Sequence, residues 1–269
     1  MNFSRPSAVT GFLRSRRARL EPDTSSPMFE ARTLRRVPGM RREELAWQAG
    51  LSVDYYTKLE QGRAANPSIQ VLAALAEALH LNPIEREYLN LLFSEPTTFE
   101  QPPHVQKAAK SDLIDLAEAF TDATMVHLLD GELRLQSLDT RTQKMMFGRT
   151  DEPRSSINLI DYVFLDTHSK TLYVDWQAKA AEAVGMMQLA LASAPQSTEL
   201  RRAAQQAWQT NPTFRHLWNQ FNITQKSSGT RRLGTETATP TLQRYVTVTA
   251  PTDNNLRLVV YWSQQHAEQ

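Results

Sequence analysis

Apolar residues recur at helical spacing through the first 120 positions, and an alternation of period two enters only after them. The chain therefore predicts a helical first half and a mixed second half. Val9 to Arg19 predicts a short helix, with Phe12, Leu13 and Leu20 toward a core and Arg14, Arg16, Arg17 and Arg19 outward. Glu21 to Pro38 holds Pro22, Asp23, Ser25, Ser26 and Pro27 and predicts a loop with a basic end at Arg32, Arg35 and Arg36. After the turn signal Pro38-Gly39, Met40 to Ala49 predicts a second helix. Its Leu45 and Ala49 share a face, and Glu43 and Glu44 occupy the first turn, where the helix dipole favours acids. Gly50 ends it, Ser52 caps a helix from Val53 to Gln61, and Gly62 ends that one. Asn66-Pro67-Ser68 caps another helix, carried by Ile69, Leu72, Leu75, Ala76 and Leu79. Asn82 opens the next, with Pro83 at its first position, Glu85 at the capping-box position, and Leu89, Leu92 and Phe93 as its stripe.

Ser94 to Pro103 carries three prolines and predicts a domain boundary, giving residues 1–94, a linker at 95–103, and residues 104–269. Val105, Ala109, Leu113, Leu116, Ala117 and Phe120 then mark an amphipathic helix. Met125 to Leu129 and Glu132 to Leu138 alternate around Asp130-Gly131, which predicts a hairpin with a type I′ turn. Helices follow at Ile157–Leu165, at Trp176–Ser193 behind an N-cap Asp175, at Ser197–Thr210, and at Pro212–Phe221 behind Asn211. Leu242 to Thr249 and Leu256 to Ser263 predict two closing strands. The expected fold is an all-α five-helix domain followed by an α+β domain with an antiparallel sheet flanked by helices.

Composition narrows the chemistry. Of 269 residues, 41 % are hydrophobic and 22 % charged, which suits a globular protein. Cysteine is absent, which excludes disulfides, thiolate zinc sites and cysteine nucleophiles. The first twenty residues lack an apolar secretory core and no run of about 18 apolar residues exists, so the expectation is cytoplasmic, without membrane insertion. The six histidines are scattered without metal-binding spacing, and no glycine-rich phosphate loop or Gly-x-Ser-x-Gly is present. Asp161, Asp166 and Asp175 read as caps and surface. The expectation is a non-enzyme with no catalytic residue, metal or cofactor. The net charge of +1 conceals a basic leader, because residues 1–42 hold ten arginines against Glu21, Asp23 and Glu30. Such segregation points to an anionic partner, nucleic acid first; the other reading is a solvated arginine-rich leader.

Two short helices joined by Ala49-Gly50-Leu51-Ser52 have the outline of a helix-turn-helix. Tyr56 and Leu59 should face the core, leaving Val53, Asp54, Tyr55, Thr57, Lys58 and Gln61 outward or at the ends. In such a unit the second helix enters the major groove with its N-terminal part. Lys58 suits guanine, Asp54 suits cytosine N4 and Val53 suits a thymine methyl, while Arg35, Arg36, Arg41 and Arg42 suit phosphates. Packing elements and protein-binding units share this outline, and Tyr55 also suits packing sideways on the scaffold.

The run from Arg41 to Arg63, with Pro67-Ser68, resembles the Xre/Cro-type repressors; Pro38 to Glu44 and Tyr55-Tyr56 are similar, more narrowly, to the MmyB-like regulators. The resemblance covers residues 36–93. It implies that Arg42 contacts phosphate where relatives usually carry glutamine, that Val53, Asp54, Tyr55 and Lys58 read bases, and that Gln61 and Arg63 touch phosphate. It makes Glu60 and Gly62 structural. From residue 104 onward the chain resembles that family's ligand-binding domain, through Phe164-Leu165-Asp166, Tyr173-Val174-Asp175-Trp176 with Ala180, Asn211 to Trp218, and Leu256 to Tyr261. It departs from the family at Arg134–Asp139, at Met187-Gln188, and around Gly234–Ala238, where a His-Pro pair is missing. The resemblance implies a PAS-like domain with an apolar pocket for a fatty-acid-like ligand. Met125, Phe164, Trp176, Phe214 and Trp218 are the candidate lining; large aromatics at such spacings are also ordinary core. The implied partners are double-stranded DNA with a pseudo-palindromic operator and a second copy of the chain. The competing expectation makes the second half a protein-interaction module without a ligand.

Overall fold

A computed structural model describes residues 3–21, 39–64, 66–95, 103–148, 156–234, 239–250 and 253–263. The first part is helical: α1 (Arg5–Arg19), α2 (Arg42–Gln48), α3 (Val53–Glu60), α4 (Ile69–Ala78) and α5 (Pro83–Phe93). Helix α1 starts four residues earlier than expected, because Pro6 suits a first turn. The predicted caps form: Ser52 accepts from Tyr55 N–H, Ser68 from Val71 N–H, and Asn82 and Glu85 close a reciprocal box. Phe12, Leu13, Leu45, Tyr56, Leu59, Leu75 and Leu89 fill one core.

The outward placing of Arg16 and Arg17 is corrected, whereas Arg14 and Arg19 are exposed as expected. Arg16 is buried, pairs with Glu85 at 2.8 Å and donates to the Phe221 carbonyl. Arg17 donates to Glu60 and to the Met40 carbonyl, and Arg19 donates to Gln220 O and Asn222 Oδ1. Long-range acids and carbonyls satisfy guanidinium groups that a helical wheel alone sends to solvent.

The second part is a six-stranded sheet in the order β3-β2-β1-β6-β5-β4, antiparallel at every pairing. Its strands are β1 (Met125–Leu129), β2 (Arg134–Ser137), β3 (Ile157–Asn158), β4 (Ser228–Leu233), β5 (Thr241–Ala250) and β6 (Asp253–Ser263). Helix α6 (Pro103–Glu118) lies on one face, where Ala109 and Leu113 meet Val126, Leu128, Leu258 and Val260. The other face is covered by α7 (Thr140–Phe147), α8 (Leu159–Leu165), α9 (His168–Leu172), α10 (Trp176–Ser193), α11 (Thr198–Thr210) and α12 (Pro212–Trp218).

The hairpin turn differs from the expectation. Leu133, not Gly131, takes the positive φ, at 60°. The Asp130 carboxylate accepts from the N–H groups of Glu132 and Arg134, and Leu133 is drawn into the core. That combination favours a longer turn over type I′. Asp175 occupies the N-cap position of α10 without a capping hydrogen bond, whereas Asn211 caps α12 through Thr213 and Phe214. Helix α12 stops at Trp218, and Phe221 adopts φ 53°.

The two parts share a core. Leu189, Ala192, Phe221 and Ile223 pack among the apolar residues of α1 and α5. A Cβ at Gly11 would lie 2.2 Å from the Phe221 ring, so only glycine lets α1 sit this close. Ser15 adds a hydrogen bond to Gln220 O at 2.9 Å.

Candidate nucleic-acid interface

Gly50 and Gly62 set the frame of the two-helix unit. Both have positive φ, at 66° and 65°. A Cβ at Gly62 would also meet Pro6 at 2.8 Å, which fixes the end of α3 against α1. Ser52 starts α3, so Val53 to Thr57 form its leading turns.

Glu60 is the brace beneath this unit. It is fully buried and accepts from Arg17 Nε at 2.8 Å, Arg42 Nε at 2.9 Å and the Tyr56 hydroxyl at 2.7 Å. One carboxylate thus ties α1, α2 and α3 together. Burial alone would raise its pKa, but the bonds from Arg17, Tyr56 and Arg42 hold it below the usual 4.5. Burial and the neighbouring carboxylate push the Tyr56 hydroxyl well above its usual value, so it stays a donor. The structural role expected for Glu60 is what the geometry gives.

The candidate contact residues fall into three groups. Val53, Asp54, Lys58, Gln61 and Arg63 are exposed on or just after α3, and Arg41 is exposed at the start of α2. Lys58 and Asp54 form an ion pair at 2.7 Å one turn apart, so the two proposed base readers hold each other in the free protein. Arg42 is partly exposed, its guanidinium aimed by Glu60 at 2.8 Å. Tyr55 is half-buried and packs against the core, the sideways placing that the sequence left open. Arg35 and Arg36 lie outside the described residues.

Two exposed apolar residues of the helical part were not anticipated from the sequence. Trp47 near the end of α2 is 59 % exposed, and Ile69 at the first turn of α4 is 82 % exposed. Helical period assigns Ile69 to a core; its exposure is legible only from its place directly after the Ser68 cap. Arg17 was missed as a partner of Glu60, because 43 residues separate them.

In the second part, Met125, Phe164, Phe214 and Trp218 are buried in the core beneath the sheet, and Trp176 packs against it. Phe164 meets Phe214 and Trp176 edge to face at 5.1 and 5.8 Å, and Trp176 donates to the Val163 carbonyl. For Met125, Phe164 and Phe214 the reading as pocket lining is corrected to packed core, whereas Trp218 also lines a cavity and Trp176 a cleft. One cavity, between the parts, is lined by Phe3, Tyr88, Leu92, Gln188 and Trp218, and another by Glu87, Leu133, Met186, Asn255 and Arg257.

A capped two-helix unit with an exposed leading face, fused to a helix-covered antiparallel sheet, defines a helix-turn-helix protein with a second, α+β domain. Comparison with known families agrees. Residues 10–89 match the family described as Helix-turn-helix domain, and residues 139–268 match the MmyB-like transcription regulator ligand binding domain. The two matches together are consistent with an MmyB-like helix-turn-helix transcription regulator. No curated protein matches it. Among the described residues no helix is long and apolar enough to cross a membrane.

Proposed function

We propose that this regulator binds a specific duplex as a homodimer, with α3 in the major groove. The observation that carries the reading is the exposed set Val53, Asp54 and Lys58 on the leading turns of a helix locked from beneath by Glu60. Lys58 donates to guanine O6 or N7, Asp54 accepts from cytosine N4, and Val53 meets a thymine methyl. Arg41, Arg42, Gln61 and Arg63 flank this set and neutralise phosphates, with Arg35 and Arg36 upstream. Two copies then read inverted half-sites about one helical turn apart.

The second part, in this reading, is a PAS-like ligand-binding domain that biases the DNA-competent state. A fatty-acid-like ligand would have to open the packed core around Phe164 and Phe214. The second reading, a protein-interaction module, draws on the end of α6 and the turn after it, where Leu116 and Phe120 are both exposed.

Selection from a random duplex library with the full chain, followed by native mass spectrometry, tests the proposal. The expected result is one enriched inverted repeat carrying two subunits. Flat enrichment contradicts it.

A further inference from the structure

Strand β4 carries Arg231 onto the sheet face that packs against α10. There Arg231 Nη2 reaches Glu182 Oε2 at 2.5 Å, Lys179 Nζ reaches Oε1 at 2.7 Å, and Lys226 Nζ reaches Oε1 at 3.2 Å. Lys179, Lys226 and Arg231 are all buried, at 3 %, 5 % and 9 % exposure. Lysine is almost never buried without a paired charge. Among the described residues three cations share a single carboxylate, an excess of two positive charges. Gly185 makes the convergence possible: a Cβ there would lie 2.1 Å from Asn222 O, so only glycine lets the following segment cross α10 and deliver Lys226 above Glu182.

Aromatic faces surround the cations. Lys226 Nζ lies 4.0 Å from the Tyr245 ring centroid and 5.3 Å from that of Tyr261, and Lys179 Nζ lies 5.3 Å from that of Tyr173. Such contacts attract a cation without neutralising it. Among the described residues, the same region leaves Arg231 Nε, His127 Nδ1 and Thr247 Oγ1 buried without a hydrogen-bond partner. The register places them on one sheet face, since His127 and Thr247 both pair with Val259, two residues before Tyr261, and Val259 and Tyr261 both belong to the core under α10. Orphaned buried donors beside uncompensated cations are costly in a free protein and are what an anion would satisfy. Burial also pulls both lysines below the usual 10.5 although Glu182 opposes it.

Arg231 is reached from outside. With Thr230 it lines a cleft whose other wall is the start of α10, at Asp175, Trp176 and Ala178. Asp175 is exposed there and its charge is screened by solvent.

We propose that this cluster binds a small oxyanion of charge about −2, a phosphate or paired carboxylate carried by a small molecule, admitted through the cleft beside Trp176. The proposal deepens the ligand-binding reading above and rests on it. The oxyanion takes hydrogen bonds from Arg231 Nε and the two lysine ammonium groups, and it balances the two excess charges.

Full-length protein is titrated with sodium phosphate, succinate and octanoate against sodium chloride, read by thermal unfolding and calorimetry. Phosphate or succinate is expected to raise Tm saturably. Lys226→Met and Arg231→Gln should each weaken that binding by about tenfold or more, the loss of one charged hydrogen bond. Without ligand, Lys226→Met should melt no lower than the parent, because it removes an uncompensated charge. The site is overturned if neither dianion binds, if both variants bind as the parent does, or if Lys226→Met alone melts several degrees lower. Octanoate binding that ignores both variants would leave a ligand-binding domain standing and remove the oxyanion site. Dianion binding that both variants lose, with octanoate inert, would keep the site and remove the apolar ligand.

Discussion

Glu60 and Glu182 are both carboxylates met by three donors, but the donors differ in charge and in where the surplus goes. Glu60 takes two guanidinium groups and a neutral phenol. Its one surplus charge belongs to Arg42, whose side chain stays 39 % exposed at the candidate DNA face. Glu182 takes three cations, and its two surplus charges stay inside the domain. The first arrangement braces a surface and presents charge outward. The second stores charge for something that must come in. The segment from Trp218 to Lys226 touches both regions: Phe221 O accepts from Arg16 of α1, and five residues later Lys226 meets Glu182.

Removing the brace should have the largest effect. Glu60→Ala strands Arg17 and Tyr56 in the interior and should cost about 3–5 kcal/mol in chemical denaturation; a loss under about 1 kcal/mol would mean that Glu60 is no brace. Next, Arg17→Ala should cost about 1.5–3 kcal/mol as a charged hydrogen-bond partner, against no loss for Lys226→Met in the same assay. Equal losses at the two positions would erase the contrast between the regions.

Acid sensitivity sharpens it further. The pKa values of Glu60 and Glu182 are held below 4.5, Glu182 far below, because nearby cations outweigh burial. Their contributions are therefore complete above pH 4.5 and are lost as pH falls through the folded values. His127 is held well below 6.5 by burial and then by Lys226 and Lys179. Its unfolded form takes a proton first, so stability should fall from about pH 6.5 downward, at most by about 1.4 kcal/mol per pH unit. His127→Phe should flatten the limb between 6.5 and 4.5 and leave the steeper limb below it. Lys179 and Lys226 act in the opposite range, adding stability as pH climbs toward 10.5. The smallest effect belongs to the exposed pair on α3: Asp54→Ala should change stability by about 0.3–0.5 kcal/mol, while altering which duplex is preferred.

The parts of this picture that were legible in the sequence are local. Caps at Ser52, Ser68, Asn82 and Asn211 declare themselves within three residues, so the two-helix unit and its outward residues could be read directly. The pairings of Arg16, Arg17 and Arg19 could not, because their partners lie 23 to 205 residues away. Strand β4 escaped because its inward positions are Arg231 and Leu233, and a buried arginine hides the alternation that marks a strand. Lys179 and Lys226 look like surface charge in a helix and a loop; only the fold brings them onto Glu182. Helices α7 and α9 span eight and five residues, too short to show a period.

The claim on which the functional account turns is the division of labour between Arg42 and α3. Anisotropy titrations of the selected duplex and its single-base variants, at several salt concentrations, measure it directly. The expected result is that Arg42→Ala weakens binding to every duplex and reduces the salt slope by about one unit, while Lys58→Ala relaxes preference at one base pair by about 1–3 kcal/mol. Equal, sequence-independent losses for both variants would contradict the placement of α3 in the groove.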